Sequence, residues 1–208
     1  MNTIIVTGTS RGLGKSIATK LSANSDLNIA TVSRSGYNFR QDNYMHYVAD
    51  ITHPLERTMF LHAVIEEFKT IDILINNAGM VNLKSLLNYT EEDYEDIFAI
   101  NVSGTFFLTQ LCILHMLTQR DGGHIINIGS TRAITGAPDK SLYSMSKFAL
   151  RSMSQCINSE FNKKRIYSTI ICPGKFDDII IYETINTIEF LIQNNIKTIP
   201  EIIIGGKL

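Results

Sequence analysis

The 208-residue sequence has no tryptophan, only four prolines and three cysteines, and no apolar run of membrane-spanning length. No stretch rich in Pro, Gly or Ser marks a linker, so residues 1–208, 44% of them hydrophobic, are predicted to form one domain with one core. The net charge of -1 gives no electrostatic case for binding nucleic acid or an anionic membrane. Without a signal peptide before the first strand, we expect a cytoplasmic protein.

The cysteines and histidines indicate no metal site. Cys112, Cys156 and Cys172 form no C-x-x-C pair and lie in apolar segments, so we expect buried free thiols in a reducing compartment. The histidines show no metal-ligand spacing and are interpreted as surface or packed imidazoles; they are His46, His53, His62, His115 and His124.

Short β-branched runs alternate with segments of helical periodicity along the chain. Strands are predicted at 3–7, 28–33, 44–49, 71–76, 124–128, 166–172 and 201–204. Helices are predicted at 12–22, 55–69, 91–119 (in one or two pieces), 142–162 and 182–194. This alternation predicts an α/β fold: a Rossmann-like, doubly wound parallel sheet of about seven strands with helices on both faces and ligands at the carboxyl ends of the strands.

The first strand runs directly into a glycine-rich turn. Gly8, Gly12 and Gly14 separate it from the first helix in a G-x-x-x-G-x-G variant of the dinucleotide fingerprint. Glycines permit a tight turn, and the positive end of the following helix attracts a pyrophosphate. The turn therefore predicts a dinucleotide site.

A tyrosine and a lysine lie one helical turn apart, after a strand that ends near a serine. The i, i+4 spacing of Tyr143 and Lys147 puts both on one helix face, where an ammonium favours the phenolate and is expected to lower the tyrosine pKa toward neutrality. Ser130 follows the strand, where its hydroxyl could hold a carbonyl oxygen. We interpret the three residues as a proton-transfer site.

Several motifs in this order resemble those of the short-chain dehydrogenase/reductase family. The resemblance runs from residue 2 to about residue 174 and is weaker beyond, and it rests on the following residues: Thr7-Gly8-x-x-x-Gly12-x-Gly14, Asn76-Asn77-Ala78-Gly79, Asn101, Ser130, Tyr143-x-x-x-Lys147 and Pro173-Gly174.

The resemblance implies a role for each matching position. Asn101, Ser130, Tyr143 and Lys147 would form the catalytic tetrad, with Asn101 holding a water that links the lysine to solvent. The implied cofactor-binding residues include Tyr143 and Lys147 and, in addition, Gly8, Ser10, Arg11, Gly12, Leu13, Gly14, Ser33, Arg34, Asp50, Ile51, Asn77, Ala78, Gly79, Pro173 and Gly174.

The cofactor is expected to be NADP rather than NAD. In this fold an acidic residue closing the second strand binds the ribose of NAD, whereas an arginine accommodates the 2′-phosphate of NADP. This chain has Ser33-Arg34 there, with Arg11 in the glycine turn as a second cation.

The expected function is hydride transfer between NADP and a carbonyl or hydroxyl carbon of an unidentified small molecule, such as a 3-oxoacyl compound or another ketone. A sugar or polyol substrate stays open, as does a non-catalytic NADP-binding sensor. Residues 119–124 lack the dense basic cluster that acyl-carrier reductases have near this point. This weakens the case for a substrate bound to acyl carrier protein.

Two further features carry expectations about the assembly and the cleft. The run from 98 to 117 is apolar nearly all round, and the helix at 142–162 continues the pattern, which predicts a homodimer or homotetramer joined through these helices. After Gly174 few residues precede the final helix, so we expect a shortened substrate lid and an open cleft.

Overall fold

The computed structural model describes residues 2–36 and 41–205, which form one sheet flanked by helices. The strands are β1 (Asn2–Thr7), β2 (Leu27–Ser33), β3 (Tyr44–Val48), β4 (Ile73–Asn76), β5 (Gly123–Ile128), β6 (Ile166–Pro173) and β7 (Glu201–Ile204). The α-helices are α1 (Gly12–Ser22), α2 (Pro54–Phe68), α3 (Glu91–Phe98), α4 (Thr105–Met116), α5 (Ser141–Phe161) and α6 (Asp178–Gln193).

The sheet is wound in both directions from its middle. Its order is β3-β2-β1-β4-β5-β6-β7, and all six neighbouring pairs are parallel. The chain starts at β1, moves outward to β3, and returns past β1 to build the other half. This confirms the predicted Rossmann-like fold, in which the carboxyl ends of all strands meet along one edge.

Helices cover both faces because consecutive strand residues point in opposite directions. Ile4 and Val6 pack into an apolar cluster with residues of α1 and α6, among them Leu21 of α1. Ile5 lies in the cluster on the other face of the sheet, with residues of α2, α4 and α5, among them Phe60 of α2. Burial on both faces explains why the strands are continuous apolar runs.

The helix predicted at 91–119 is interrupted in the middle. A π-helical segment, Ala99–Gly104, separates α3 from α4. A Cβ on Gly104 would lie 3.1 Å from the Ile51 carbonyl oxygen, so the segment packs closely against the loop after β3. The interruption places Asn101 in the π-helical segment, and such segments are frequent at functional sites.

The final helix begins earlier than predicted, at Asp178 instead of residue 182. The Asp177 side chain caps it by accepting a hydrogen bond from the Ile180 backbone N–H at 2.8 Å. The isoleucine run at 179–181 therefore forms the first turn, with Ile180 buried against the sheet. Residues 174–177 alone connect β6 to α6.

One of the three cysteines departs from the predicted burial. Cys112 and Cys172 are buried free thiols, but Cys156 is exposed on α5. The apolar residues around Cys156 in the sequence alternate between faces of the helix, and Ile157, its neighbour, takes the core position. Apolar neighbours in the sequence therefore do not predict burial of a residue on a helix, because adjacent residues face different directions.

Contrary to the expectation that no apolar run reaches membrane-spanning length, one helical stretch of the described residues, Glu91–Met116, is long and apolar enough to cross a membrane by length and composition. It is the α3–α4 stretch, which lies against the sheet with Leu108, Cys112 and Met116 fully buried. A core helix of this kind passes the same test, and packing against the sheet accounts for the buried part of its apolar surface.

Candidate active site

A cleft of about 1130 Å³ lies along the carboxyl ends of the strands. Its walls contain most of the residues that the sequence singled out: Gly8, Ser10, Arg11, Leu13, Gly14, Ser33, Arg34, Asp50, Ile51, Asn77, Ala78, Gly79, Ser130, Tyr143, Lys147 and Gly174. Gly12, Asn101 and Pro173 do not line it. Gly12 is exposed at the start of α1, Asn101 is buried behind the wall, and Pro173 is the buried last residue of β6.

The glycine turn between β1 and α1 has two glycines that no larger residue would replace. Gly8 has a φ of +72°, and a Cβ there would lie 2.7 Å from the Ala78 Cα atom. A Cβ on Gly14 would lie 2.3 Å from the Gly8 carbonyl oxygen. Gly12 has space around it but a φ of +57°. Close backbone approach and left-handed conformation together explain the motif.

The residues after β4 hold this turn in place. The Asn77 side-chain amide donates to the Thr7 and Gly8 carbonyl oxygens at 2.9 and 3.1 Å. The backbone N–H groups of Asn77 and Ala78 donate to the Thr7 hydroxyl. The Asn77 side chain is thus used for scaffolding, and Thr7 is a supporting residue whose role the sequence analysis missed.

The amino end of α1 is suited to an anion. Its N-cap residue, Arg11, makes no side-chain capping bond, and the first turn contains no acidic residue. The helix end therefore presents backbone N–H groups and a partial positive charge to the cleft. With the glycine cradle beside it, this end fits the pyrophosphate of a dinucleotide.

A further part of the cleft wall lies at β2 and β3. Ser33 closes β2 with its hydroxyl donating to the Ser35 carbonyl oxygen, and Arg34 is exposed at the cleft wall. Asp50 follows β3 and accepts a hydrogen bond from the Thr52 backbone N–H at 2.9 Å. The Asp50 carboxylate is thereby held at the turn after β3.

The proton-transfer candidates come from β5 and α5. Ser130 follows β5 and accepts from the Arg132 backbone N–H at 3.1 Å, and its hydroxyl is close enough to Tyr143 to act on the tyrosine pKa. The Lys147 ammonium donates to the Ile128 carbonyl oxygen at 2.8 Å and lies 5.7 Å from the centroid of the Tyr143 ring. Strand and helix thus place the three side chains in one cleft wall.

The electrostatics of this group differ from the sequence expectation. Burial raises the pKa of Tyr143, while the interaction with the Ser130 hydroxyl acts in the opposite direction. Burial also lowers the pKa of Lys147 to about 8. The predicted lowering of the tyrosine pKa is wrong for this structure, because burial of the phenol raises that pKa more than the interaction with Ser130 lowers it. The Lys147 ammonium donates to the Ile128 carbonyl.

Asn101 connects the π-helical segment to its surroundings. It is fully buried; its Oδ1 accepts from the Met80 backbone N–H at 2.8 Å, and its amide donates to the Met80 carbonyl and to the Ser146 hydroxyl. Ser146 in turn donates to the Tyr143 carbonyl at 2.7 Å. Both amide hydrogens of Asn101 are therefore used inside the protein, and Ser146 is a connection that the sequence analysis missed.

Further cleft residues had no motif to mark them. They flank the motif positions and could have been found by that proximity alone: Met80, Val81, Leu83, Arg132, Lys140, Lys175 and Phe176. No group of three or more His, Cys, Asp or Glu side chains suited to a metal ion occurs within 2–36 and 41–205.

Comparison with known proteins decides the family. The family model for short chain dehydrogenase matches residues 2–184. The chain belongs to the short-chain dehydrogenase/reductase family. It is 32% identical over 176 residues to 3-oxoacyl-[acyl-carrier-protein] reductase FabG of Buchnera aphidicola, covering 82% of this chain and 71% of that protein. The chain is thus an oxidoreductase that acts on carbonyl or hydroxyl groups.

Solved structures share the fold at lower identity. ElxO with NADP bound superposes with a TM-score of 0.87 at 21% identity, covering 97% of this chain and 96% of the other. The 3-ketoacyl-(acyl-carrier-protein) reductase of Brucella melitensis, complexed with NADH, has the same TM-score at 18% identity and covers 97% and 95%. A nicotinamide dinucleotide is typical of the family, and these two proteins contain different ones.

We predict that Gly14→Ala weakens binding of NADPH at least about tenfold, because the new methyl group would push the Gly8 carbonyl out of the cradle. Gly136→Ala is the matched control, since a Cβ there meets no atom within 4 Å. Fluorescence titration of NADPH measures both variants. Equal affinity in Gly14→Ala and wild type would contradict the cradle.

Proposed function

We propose that this protein is an NADP-dependent reductase in which Tyr143, with Ser130 and Lys147, exchanges a proton with the oxygen of a small carbonyl substrate. The observation that supports this most directly is the shared cleft: the Ser130–Tyr143 pair and the glycine cradle of α1 lie in its walls. NADP would supply and receive the hydride. The same groups serve reduction and oxidation.

Each of the four catalytic candidates has a separate role in the proposed proton transfer. The hydroxyls of Ser130 and Tyr143 hold the substrate oxygen, and Tyr143 donates its proton as negative charge develops there. Its raised pKa keeps the phenol protonated at neutral pH, which suits a donor. The Lys147 ammonium stabilises the phenolate that remains. Asn101, through Ser146, fixes the backbone of the helix that presents the tyrosine.

NADP is the proposed cofactor because two exposed arginines lie at its expected adenosine end. Arg11 and Arg34 line the cleft, and no salt bridge within the described ranges 2–36 and 41–205 involves either of them. Arg34 occupies the position after β2 where a 2′-phosphate would lie. A guanidinium binds a phosphate by paired hydrogen bonds.

A cytoplasmic location is part of the proposal, supported by three free thiols that suit a reducing compartment. The shortened lid is another part. Only residues 174–177 connect β6 to α6, and Phe176 of this connection is about half exposed at the cleft. A cleft covered this sparsely favours weak discrimination among small ketones.

The proposed assembly is a homodimer or homotetramer through α4 and α5. Exposed apolar side chains lie on both helices: Phe106, Phe107, Leu114, Leu117, Met145 and Phe148. Leu108 and Ile157 belong to the same two apolar stretches, 98–117 and 142–162, but are buried in the core instead. A dimer would cover apolar area that a monomer leaves in water.

For the assembly, we predict a dimer or tetramer in sedimentation velocity at micromolar concentration, and dissociation by Leu114→Glu because a charge would enter the apolar contact. Leu55→Glu, at an exposed apolar position on α2, is the control. A wild type that sediments only as a monomer would rule out the assembly.

For the cofactor, we predict tighter binding of NADPH than of NADH, and a loss of that preference in Arg34→Asp by about 10- to 100-fold, as expected for one charge-assisted contact. Lys164→Asp changes an exposed cation outside the cleft and serves as the control. Titration with both cofactors measures it. Equal affinities of the wild type for NADPH and NADH would show that Arg11 and Arg34 do not bind the 2′-phosphate.

For catalysis, we predict that Tyr143→Phe lowers turnover at least about 10²-fold while NADPH still binds, because only the hydroxyl is removed. Tyr167→Phe, on β6 outside the cleft, is the control. The assay is NADPH oxidation with a panel of diketones, quinones, 3-oxoacyl thioester mimics and, in reverse, polyols. Undiminished turnover would remove Tyr143 as the acid. NADPH binding without oxidation across the panel would favour a sensor.

A further inference from the structure

Three cations line the cleft on the half of the sheet that also carries Ser130 and Tyr143. Arg132 follows Ser130 by two residues, Lys140 precedes Tyr143 by three, and Lys175 follows the end of β6. They come from three different elements, and all line the same cleft as Tyr143. None belongs to a motif discussed above.

The three cations have no carboxylate partner. Within residues 2–36 and 41–205, the salt bridges all lie elsewhere, and none involves Arg132, Lys140 or Lys175. The cleft as a whole is lined by six Lys or Arg side chains and by one acidic residue, Asp50. The complete chain has slightly more acidic than basic residues, 20 against 19, so this excess is local.

The cofactor does not account for these cations. Arg11 and Arg34 are the cations at the β1–α1 turn and at the end of β2, where the phosphates of a dinucleotide are expected. Arg132, Lys140 and Lys175 follow or precede β5, α5 and β6, on the other half of the sheet. Like charges that share a cleft repel one another, and an anion bound among them relieves that repulsion.

Arg132 is held in a fixed position. Its Nη1 donates to the Gly136 carbonyl at 3.0 Å, and Nη2 lies 3.4 Å from the Thr131 hydroxyl. A guanidinium has five N–H donors, so donors remain for a planar anion. Lys140 adds charge at the N-cap of α5, which has no side-chain capping bond and no acidic residue in its first turn.

We propose that the substrate is an anionic carbonyl compound, a keto acid or a phosphorylated ketone, whose anionic group is bound by Arg132 together with Lys140 and Lys175. This rests on the proposed hydride transfer at Tyr143. Bound NADPH would supply the hydride for the new C–H bond. As the carbonyl π bond breaks, the carbonyl oxygen takes the Tyr143 proton, and the anionic group stays unchanged. Discrimination then comes from charge at the cleft wall instead of from a large lid.

The first test compares matched substrates that differ in charge. For wild type, kcat/KM should be at least about tenfold higher for acetoacetate than for methyl acetoacetate, or for dihydroxyacetone phosphate than for dihydroxyacetone. The pair with the larger ratio identifies the anion as carboxylate or phosphate. Equal or higher values for both neutral compounds would overturn the proposal.

Charge-neutral variants then assign the residues. Arg132→Gln should lower the anion-to-neutral ratio by about tenfold, the loss of one charge-assisted contact, and Lys140→Gln and Lys175→Gln should lower it less. Lys163→Gln, an exposed cation outside the cleft, should leave the ratio unchanged. Variants that lower both members of a pair equally would contradict the assignment.

A binding measurement decides the proposal even without turnover. Calorimetric titration of the NADP-bound protein with butyrate and with inorganic phosphate should show saturable binding of one of them that weakens with salt and is lost in Arg132→Gln. Butyramide should not bind. Binding that survives in Arg132→Gln, or is absent for both anions, would overturn the anion site. An absence of NADPH oxidation with every carbonyl compound, beside intact anion binding, would instead overturn the proposed function.

Discussion

The close contact between the glycine turn after β1 and the residues after β4 is the constraint on which the site depends. β1 and β4 are neighbours in the sheet, so their carboxyl ends emerge side by side. The Asn77 amide joins them by donating to the Thr7 and Gly8 carbonyl oxygens. Because Gly8 and Gly14 have no Cβ atoms, the turn after β1 and the loop after β4 can approach this closely. A larger residue at either glycine would separate the cradle from the loop.

A second connection runs behind the cleft wall. The π-helical segment places Asn101 where it bonds both backbone groups of Met80 and the Ser146 hydroxyl, and Ser146 reaches the Tyr143 carbonyl. The loop after β4 and the helix that bears Tyr143 are therefore held by one buried polar chain. Leaving any member unpaired would cost roughly 1–3 kcal/mol, which favours a single arrangement.

Much of this arrangement could be predicted from the sequence because parallel strands have a simple pattern. Continuous β-branched runs place β1 and β5, and the polar residues that follow them must meet at one edge of the sheet. What could not be predicted depends on side-chain direction. No spacing rule encodes how deeply Tyr143 is buried or that Lys147 points at the Ile128 carbonyl. Burial raises the Tyr143 pKa, which is the opposite direction to that expected. Cys156 is exposed because it lies on the solvent-facing side of α5. Arg132 lines the cleft because the short helical turn at 131–133 follows β5 there.

The central claim is that the cleft carries hydride directly between a nicotinamide and a substrate carbonyl carbon beside Tyr143. The most direct measurement uses NADPH with deuterium on one or the other face of nicotinamide C4, and mass spectrometry of the alcohol formed from a reducible ketone. We predict deuterium on the carbinol carbon from one face only, as one fixed cofactor orientation requires. Alcohol that contains no deuterium from either face, or equal amounts from both, would contradict the account.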